Sequence, residues 1–99
     1  MKINVDPAYL ESSAAHIDAM NQQYEKEYQH LYQEVELLKI HWKGQDNQTF
    51  IQQIKGFEHD FIVMRKLMEQ YASYLRSSAS AYRSVQQQQI AQARKLVRS

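Results

Sequence analysis

The side chains that could do chemistry in this chain are four histidines, eleven carboxylates, seven tyrosines and some hydroxyls; cysteine is absent. His16, His30, His41 and His59 never stand three or four residues apart, the spacing that sets two ligands on one helical face. On a single helix His16 and His30 would lie about 21 Å apart. Zinc needs three or four converging ligands, so the histidines read as surface residues. Glu25 and Glu27, like Glu34 and Glu36, are two apart and point to different helical faces, as solvated charges do. Without cysteine there is no disulfide, thiol nucleophile or thiolate metal site. A glycine-rich phosphate loop, a serine nucleophile elbow and an HExxH pair are all missing. We therefore expect no catalytic residue, no cofactor and no metal, and a function carried by contact with other protein surfaces.

The elements that position these residues are two long helices. Asp6-Pro7 is a helix start, since Asp caps and Pro is tolerated at the first helical position. Leu10, Ala14, Ile17, Asn21, Tyr24, Tyr28, Leu31, Val35, Leu38 and Trp42 then follow in unbroken alternation of four and three, a heptad seam with only Asn21 polar. Asn21 reads equally as a register-fixing polar residue or as a half-exposed one. Lys43-Gly44-Gln45-Asp46 supplies a stop and a restart, with Gly44 free to turn and Asp46 or Asn47 placed to cap. A second seam runs Phe50, Ile54, Phe57, Phe61, Met64, Met68, Tyr71, Leu75, Ser78, Tyr82 and Val85. Because Tyr24, Tyr28, Phe57, Phe61 and Tyr71 hold seam positions, the aromatics read as core rather than as a base-stacking surface.

The fold expected is all-α: an antiparallel two-helix hairpin over 1–85, with helix one at about 7–42, a Trp-x-Gly turn at 43–46 and helix two at about 47–85. Its core is Leu10, Ile17, Leu31, Val35 and Leu38 against Ile54, Phe57, Phe61, Met64, Met68, Tyr71 and Leu75. Helix one spans about 54 Å, and the same length of helix two ends near Tyr82. Residues 86–99, with the run Gln86–Gln89 and a weak stripe at Ile90, Ala93 and Val97, read as a Gln-rich basic tail, a frayed helix or disordered. A hairpin buries one side of each helix and is marginal alone. Met20, Leu37, Ile51, Ile62, Leu67 and Tyr74 flank the seams as a candidate dimer surface, and a two-fold pair of hairpins forming a four-helix bundle would cover it.

Trp42-Lys43-Gly44 sits midway along a helical hairpin, with Phe50 six residues beyond the glycine. Alone the tripeptide is weak, since glycine follows tryptophan at a given offset about 7% of the time; between two heptad seams it is far more specific. Over residues 1 to about 85 the chain resembles the WxG family, small early-secretory-antigen-type proteins exported by type VII (ESX) secretion systems. The resemblance implies a small secretion substrate that works as a dimeric helical partner, carrier or targeting factor. Its implied partners are a second copy or a related hairpin, the system's membrane ATPase, and the N-terminal helical domain of a larger secreted toxin. It also implies export without a cleavable signal peptide from a cytoplasmic pool. As physics Trp42, Gly44 and Phe50 make a packed turn; contact with the secretion machine is the role the resemblance adds. Family members or their partners carry a Tyr-x-x-x-Asp/Glu export signal beyond the hairpin. Here Tyr82 is in place but the fifth residue is Gln86, so either Gln86 is tolerated or a partner supplies the acid. The one literal match, Tyr32 to Glu36, falls inside helix one.

Composition fits this reading. Apolar residues make up 43% of the chain, yet mean hydropathy is −0.69, as narrow stripes on polar helices require. The first residues lack the apolar stretch of a signal peptide, and no run approaches the roughly 20 residues of a membrane span, so stable insertion is not expected. Net charge is +1, but all the acids precede residue 70, whereas Arg76, Arg83, Arg94, Lys95 and Arg98 follow it. That basic end is either a solvated helix terminus or a seat for acidic protein, lipid or nucleic acid. Two other functions remain open at this point, a cytoplasmic coiled-coil adaptor and an anionic membrane or nucleic-acid binder acting through the tail, though nucleic acid is not the expected partner.

Overall fold

The computed structural model describes residues 5–42 and 44–98, apart from the side chains of residues 45, 46 and 98. Three helices follow in order, α1 (Pro7–His41), α2 (Gln45–Gly56) and α3 (Glu58–Arg98). Asp6 caps α1 by accepting from the Ala8 amide at 3.0 Å, with Pro7 as the first helical residue. At the other end the Trp42 amide donates to the Leu38 carbonyl at 2.8 Å and the backbone leaves the helix extended. Lys43, in the predicted turn, lies outside the described residues.

The chain then folds back on itself. Arg65 pairs with Glu25, Arg76 with Asp18 and Arg83 with Glu11, so ascending positions on α3 meet descending ones on α1. The result is an antiparallel hairpin measuring 84 × 19 × 18 Å. Its radius of gyration is 23.3 Å, against about 13 Å for a compact chain of this length.

Helix two is not one rod. At Phe57 the ladder breaks: the Phe57 amide donates to the Ile54 carbonyl at 3.1 Å, a three-residue step, and the Tyr32 hydroxyl donates to that same carbonyl at 2.8 Å. A side chain entering the ladder is one of the few causes of a sharp bend. Removed from water and facing Glu58 and Asp60, Tyr32 has its pKa raised, so the neutral, donating phenol is the form the fold selects.

Along α1 the contact face follows the predicted seam through Ala14, Asn21, Tyr24, Tyr28 and Val35. Leu10 and Ile17 are half-buried on it, while Leu31 and Leu38 slip to its exposed edge. Asn21 is only 6% exposed, and its amide donates to the Arg65 carbonyl at 3.2 Å. On α3 the seam must be corrected. Phe61, Met68 and Leu75 face α1 as expected, but Arg65, Ala72 and Ala79 alternate with them. Met64 and Tyr71, assigned to the core, are instead 47% and 56% exposed, and Phe57 at the bend is exposed as well. Ile54 is half-buried. The four-three spacing itself is kept through 61, 65, 68, 72, 75 and 79. What changes is the string that accompanies 61, 68 and 75, which is 65, 72 and 79 in place of 64, 71 and 78, so that two small alanines lie at the helix contact. On α1 the count does slip: a straight helix drifts about 20° per heptad from a 3.5-residue repeat, which carries Tyr32 and Lys39 inward in place of Leu31 and Leu38.

Around Phe61 the contact is aromatic. Tyr28 stacks on it at 5.5 Å between centroids, and Tyr24 and Tyr32 meet its edge at 5.8 and 6.2 Å. Towards the open end the filling is Ala14, Ala72 and Ala79, each wholly buried. Beyond Tyr82, where a frayed or disordered tail was expected from residue 86, α3 continues as regular helix to Arg98. A helix of good helix formers such as Gln, Ala, Arg and Lys needs no apolar seam to persist.

Two outcomes follow for this packing. Ala79→Leu should destabilise by about 1–3 kcal/mol through overpacking, while Ser77→Leu, on an exposed position, should stay within about 0.5 kcal/mol; thermal melts read both. Because the Tyr32 pKa is raised, its contribution is complete below the ordinary tyrosine value of 10.0 and is lost as pH climbs through the elevated one. The melting temperature of Tyr32→Phe should therefore fall less steeply above that pH than the parent's, on a parallel alkaline series.

Candidate interaction surfaces

Three places on the hairpin offer contact chemistry: the turn, the open end and one long side. At the turn, Trp42 and Phe50 face each other at 5.6 Å between centroids, inclined by 50°, and both remain more than a third exposed. Gly44 has φ 144 and ψ 170, a conformation nearly confined to glycine. Asn47 does not cap α2, which starts earlier, at Gln45, from Gly44 as cap. Its side-chain amide reaches back to the Trp42 carbonyl, tying the extended residue to the new helix. Beside the turn, Lys39 donates to Glu36 at 2.9 Å, and that bond holds the Glu36 carboxyl below its usual range. The neighbouring Lys39 ammonium in turn holds the Lys55 pKa down.

At the open end Tyr82 and Gln86 lie one turn apart on α3, both exposed. The turn and this pair therefore stand at opposite ends of the hairpin. The histidines are exposed and scattered along it, and no group of three or more metal-type ligands occurs among the described residues.

The long side emerges from the helical positions. At about 100° per residue, Tyr9, Met20, Leu31 and Leu38 on α1 are all rotated in one sense from the contact face. Met64, Leu67, Tyr71, Tyr74, Tyr82 and Val85 on α3 are rotated in that same sense, and all ten are exposed. In an antiparallel pair, equal rotation from the two contact faces brings both strings to one side of the hairpin. Glu11, Asp18 and Glu25, with Arg83, Arg76 and Arg65, are rotated the opposite way and pair across the other edge. The hairpin thus has an apolar side and an ion-paired side.

Of the six residues expected on a dimer surface, Met20, Leu67 and Tyr74 lie on the apolar side. Ile51 does not, being 7% exposed and spent inside the hairpin. Leu37 and Ile62 are exposed but turned to the back of α1 and to the ion-paired edge. Sequence reasoning placed Met64 and Tyr71 in the core and did not single out Tyr9. A string through Arg65, Ala72 and Ala79 keeps the same four-three spacing and leaves the first two on the apolar side.

Residues 2–87 match the family model WXG100, described as proteins of 100 residues with WXG. No curated protein and no solved structure gives a match.

The turn's backbone generates a paired test. Gly44→Ala meets nothing within 4 Å, so any loss is conformational, and about 1–3 kcal/mol is expected. Gly56→Ala, also in open space but in α2, should be neutral or stabilising by up to about 1 kcal/mol. Chemical denaturation of the two variants distinguishes strain from crowding.

Proposed function

We propose, for a chain that belongs to the WXG100 family, that it is a type VII secretion substrate acting as a paired helical carrier or targeting factor, without catalysis of its own. The family consists of small helical proteins exported by type VII systems, which generally pair with a second copy or a relative. For this chain the partner we infer is a second copy, seated on the apolar side so that two hairpins make a four-helix bundle. The turn at Trp42, Gly44 and Phe50 and the Tyr82–Gln86 turn of helix are then the contacts for the export machinery, including its membrane ATPase. The helical N-terminal domain of a larger secreted toxin is the cargo class such a pair would accompany.

The observation that carries this reading is the two-sidedness of the hairpin. Ion pairs close one edge while ten large apolar or aromatic residues lie bare along the other. The accessible surface, 8319 Å², exceeds by about 2,400 Å² what a compact monomer of this mass exposes. An excess on that scale is of the order that permanent interfaces bury.

Light scattering on the purified chain should return the mass of two chains at micromolar concentration. Leu67→Asp with Tyr74→Asp should halve it while helicity per residue is largely kept. A parent protein that is a stable, fully helical monomer would sink the pairing. Export is tested separately at Gln86, which is not among the ten residues of the apolar side: Gln86→Ala should lower secretion without changing the solution mass, and unchanged secretion would remove Gln86 from the signal.

A further inference from the structure

Roughly the last eleven described residues of α3 run past the start of α1. The cross-helix pairs Asp18–Arg76 and Glu11–Arg83 set Pro7 level with about residue 87, so the overhang extends some 16 Å. From Ala81 to Val97 every residue is exposed.

This overhang has its own two-sided chemistry. Ile90, Ala93 and Val97 fall within about 60° of one another around the helix and line a shallow hollow with the stem of Arg94. Ile90 is 54% and Val97 87% exposed. Arg94 and Lys95 follow on one flank, and Arg98 adds a third positive charge to the segment. No acid occurs after Glu69 and no aromatic after Tyr82.

We propose that the α3 overhang is a peripheral membrane contact that lies on anionic lipid. A helix with a basic flank and a short apolar strip rests in the headgroup boundary, strip inward and cations among the phosphates. Arginine beside the strip suits that depth, because its stem stays with apolar neighbours while its head reaches the phosphate layer. Duplex or single-stranded nucleic acid fits less well. It would use the charges but gain nothing from Ile90 and Val97, and the overhang has no ring for bases to stack on. The contact is peripheral, since no helix among the described residues is long and apolar enough to cross a membrane. The inference stands on the overhang alone and does not depend on pairing or export.

The full purified chain is sedimented with vesicles of pure phosphatidylcholine, and with vesicles of two parts phosphatidylcholine to one part phosphatidylglycerol. Three cations near an anionic surface raise partitioning by up to roughly 100-fold, so binding should appear with the acidic vesicles only and collapse at high salt. The triple change Arg94→Gln, Lys95→Gln and Arg98→Gln should abolish it, and Ile90→Ser with Val97→Ser should weaken it about tenfold. Lys66→Gln, an exposed lysine outside the overhang, should leave it intact. Circular dichroism checks that each variant is folded. Equal binding to both vesicle types, no binding to the acidic ones, or binding that survives the triple change would each overturn the proposal. Comparable affinity for DNA, lost in the triple variant but kept in the Ile90/Val97 variant, would reassign the overhang to nucleic acid.

Discussion

Close approach of α1 and α3 at Ala14, Ala72 and Ala79 governs the rest of the structure. All three are wholly buried, and helix separation is set by the side chains at the contact, so nothing bulkier fits at these levels without pushing the helices apart. Nearer the bend the filling changes to rings, with Phe61 enclosed by Tyr24, Tyr28 and Tyr32. The contact line is thus occupied by alanines at one end and by one aromatic cluster at the other. Met64 and Tyr71 have no place in it and turn to the side. The bend at Phe57 belongs to the same geometry, because Tyr32 on α1 reaches the Ile54 carbonyl from within the ring cluster.

The ion pairs do a different job from the packing. Each joins side chains that are a third to a half exposed, and such pairs contribute from nothing to about 1 kcal/mol apiece. Their effect is on orientation: rolling α3 to bring Met64 and Tyr71 inward would carry Arg65 and Arg76 away from Glu25 and Asp18. Asn21 acts in the same sense. Its amide bonds to the Arg65 backbone while Arg65 pairs with Glu25 at 2.7 Å, so one buried polar contact and one ion pair fix the same level of the hairpin. Packing brings the helices together, and charge decides which side of the pair faces outward.

Much of this was legible from local signals. Asp6-Pro7 opens α1 as the capping rule requires, the break falls at Trp42 to Gly44, and α1 keeps most of its predicted contact face. The differences have separate causes. On α1 a straight helix drifts from the four-three count, whereas on α3 that count fits 64 and 71 or 65, 72 and 79 equally well, and the large residues at 64 and 71 favour the wrong string over the small ones at 72 and 79. Alanine carries so little apolar weight that a search for large side chains passes over it, yet it marks where two helices touch. The bend depends on a hydroxyl 22 residues away in sequence, beyond the reach of local pattern, and nothing in the neighbours of Ile51 shows that α2 leans back on α1. Past Val85 the missing seam points to a frayed helix or to disorder, yet α3 continues to Arg98, because a seam reports a partner and not helicity.

The identity of the residues on the apolar side explains how the chain tolerates it. Four of the ten are tyrosines, at positions 9, 71, 74 and 82, and the largest aliphatics, Leu67, Met64 and Val85, are interspersed with them along α3. A tyrosine presents an apolar ring for burial and a hydroxyl that stays hydrated. A face built of such residues costs less to expose than one of leucine or phenylalanine, and still loses water from a wide area when covered. Phenylalanine is held back for positions 50, 57 and 61, at the turn, the bend and the ring cluster of the hairpin itself. Tyrosine serves both places: Tyr24, Tyr28 and Tyr32 close around Phe61 inside the hairpin, and the other four lie along the side where a hydrated hydroxyl lowers the cost of exposure.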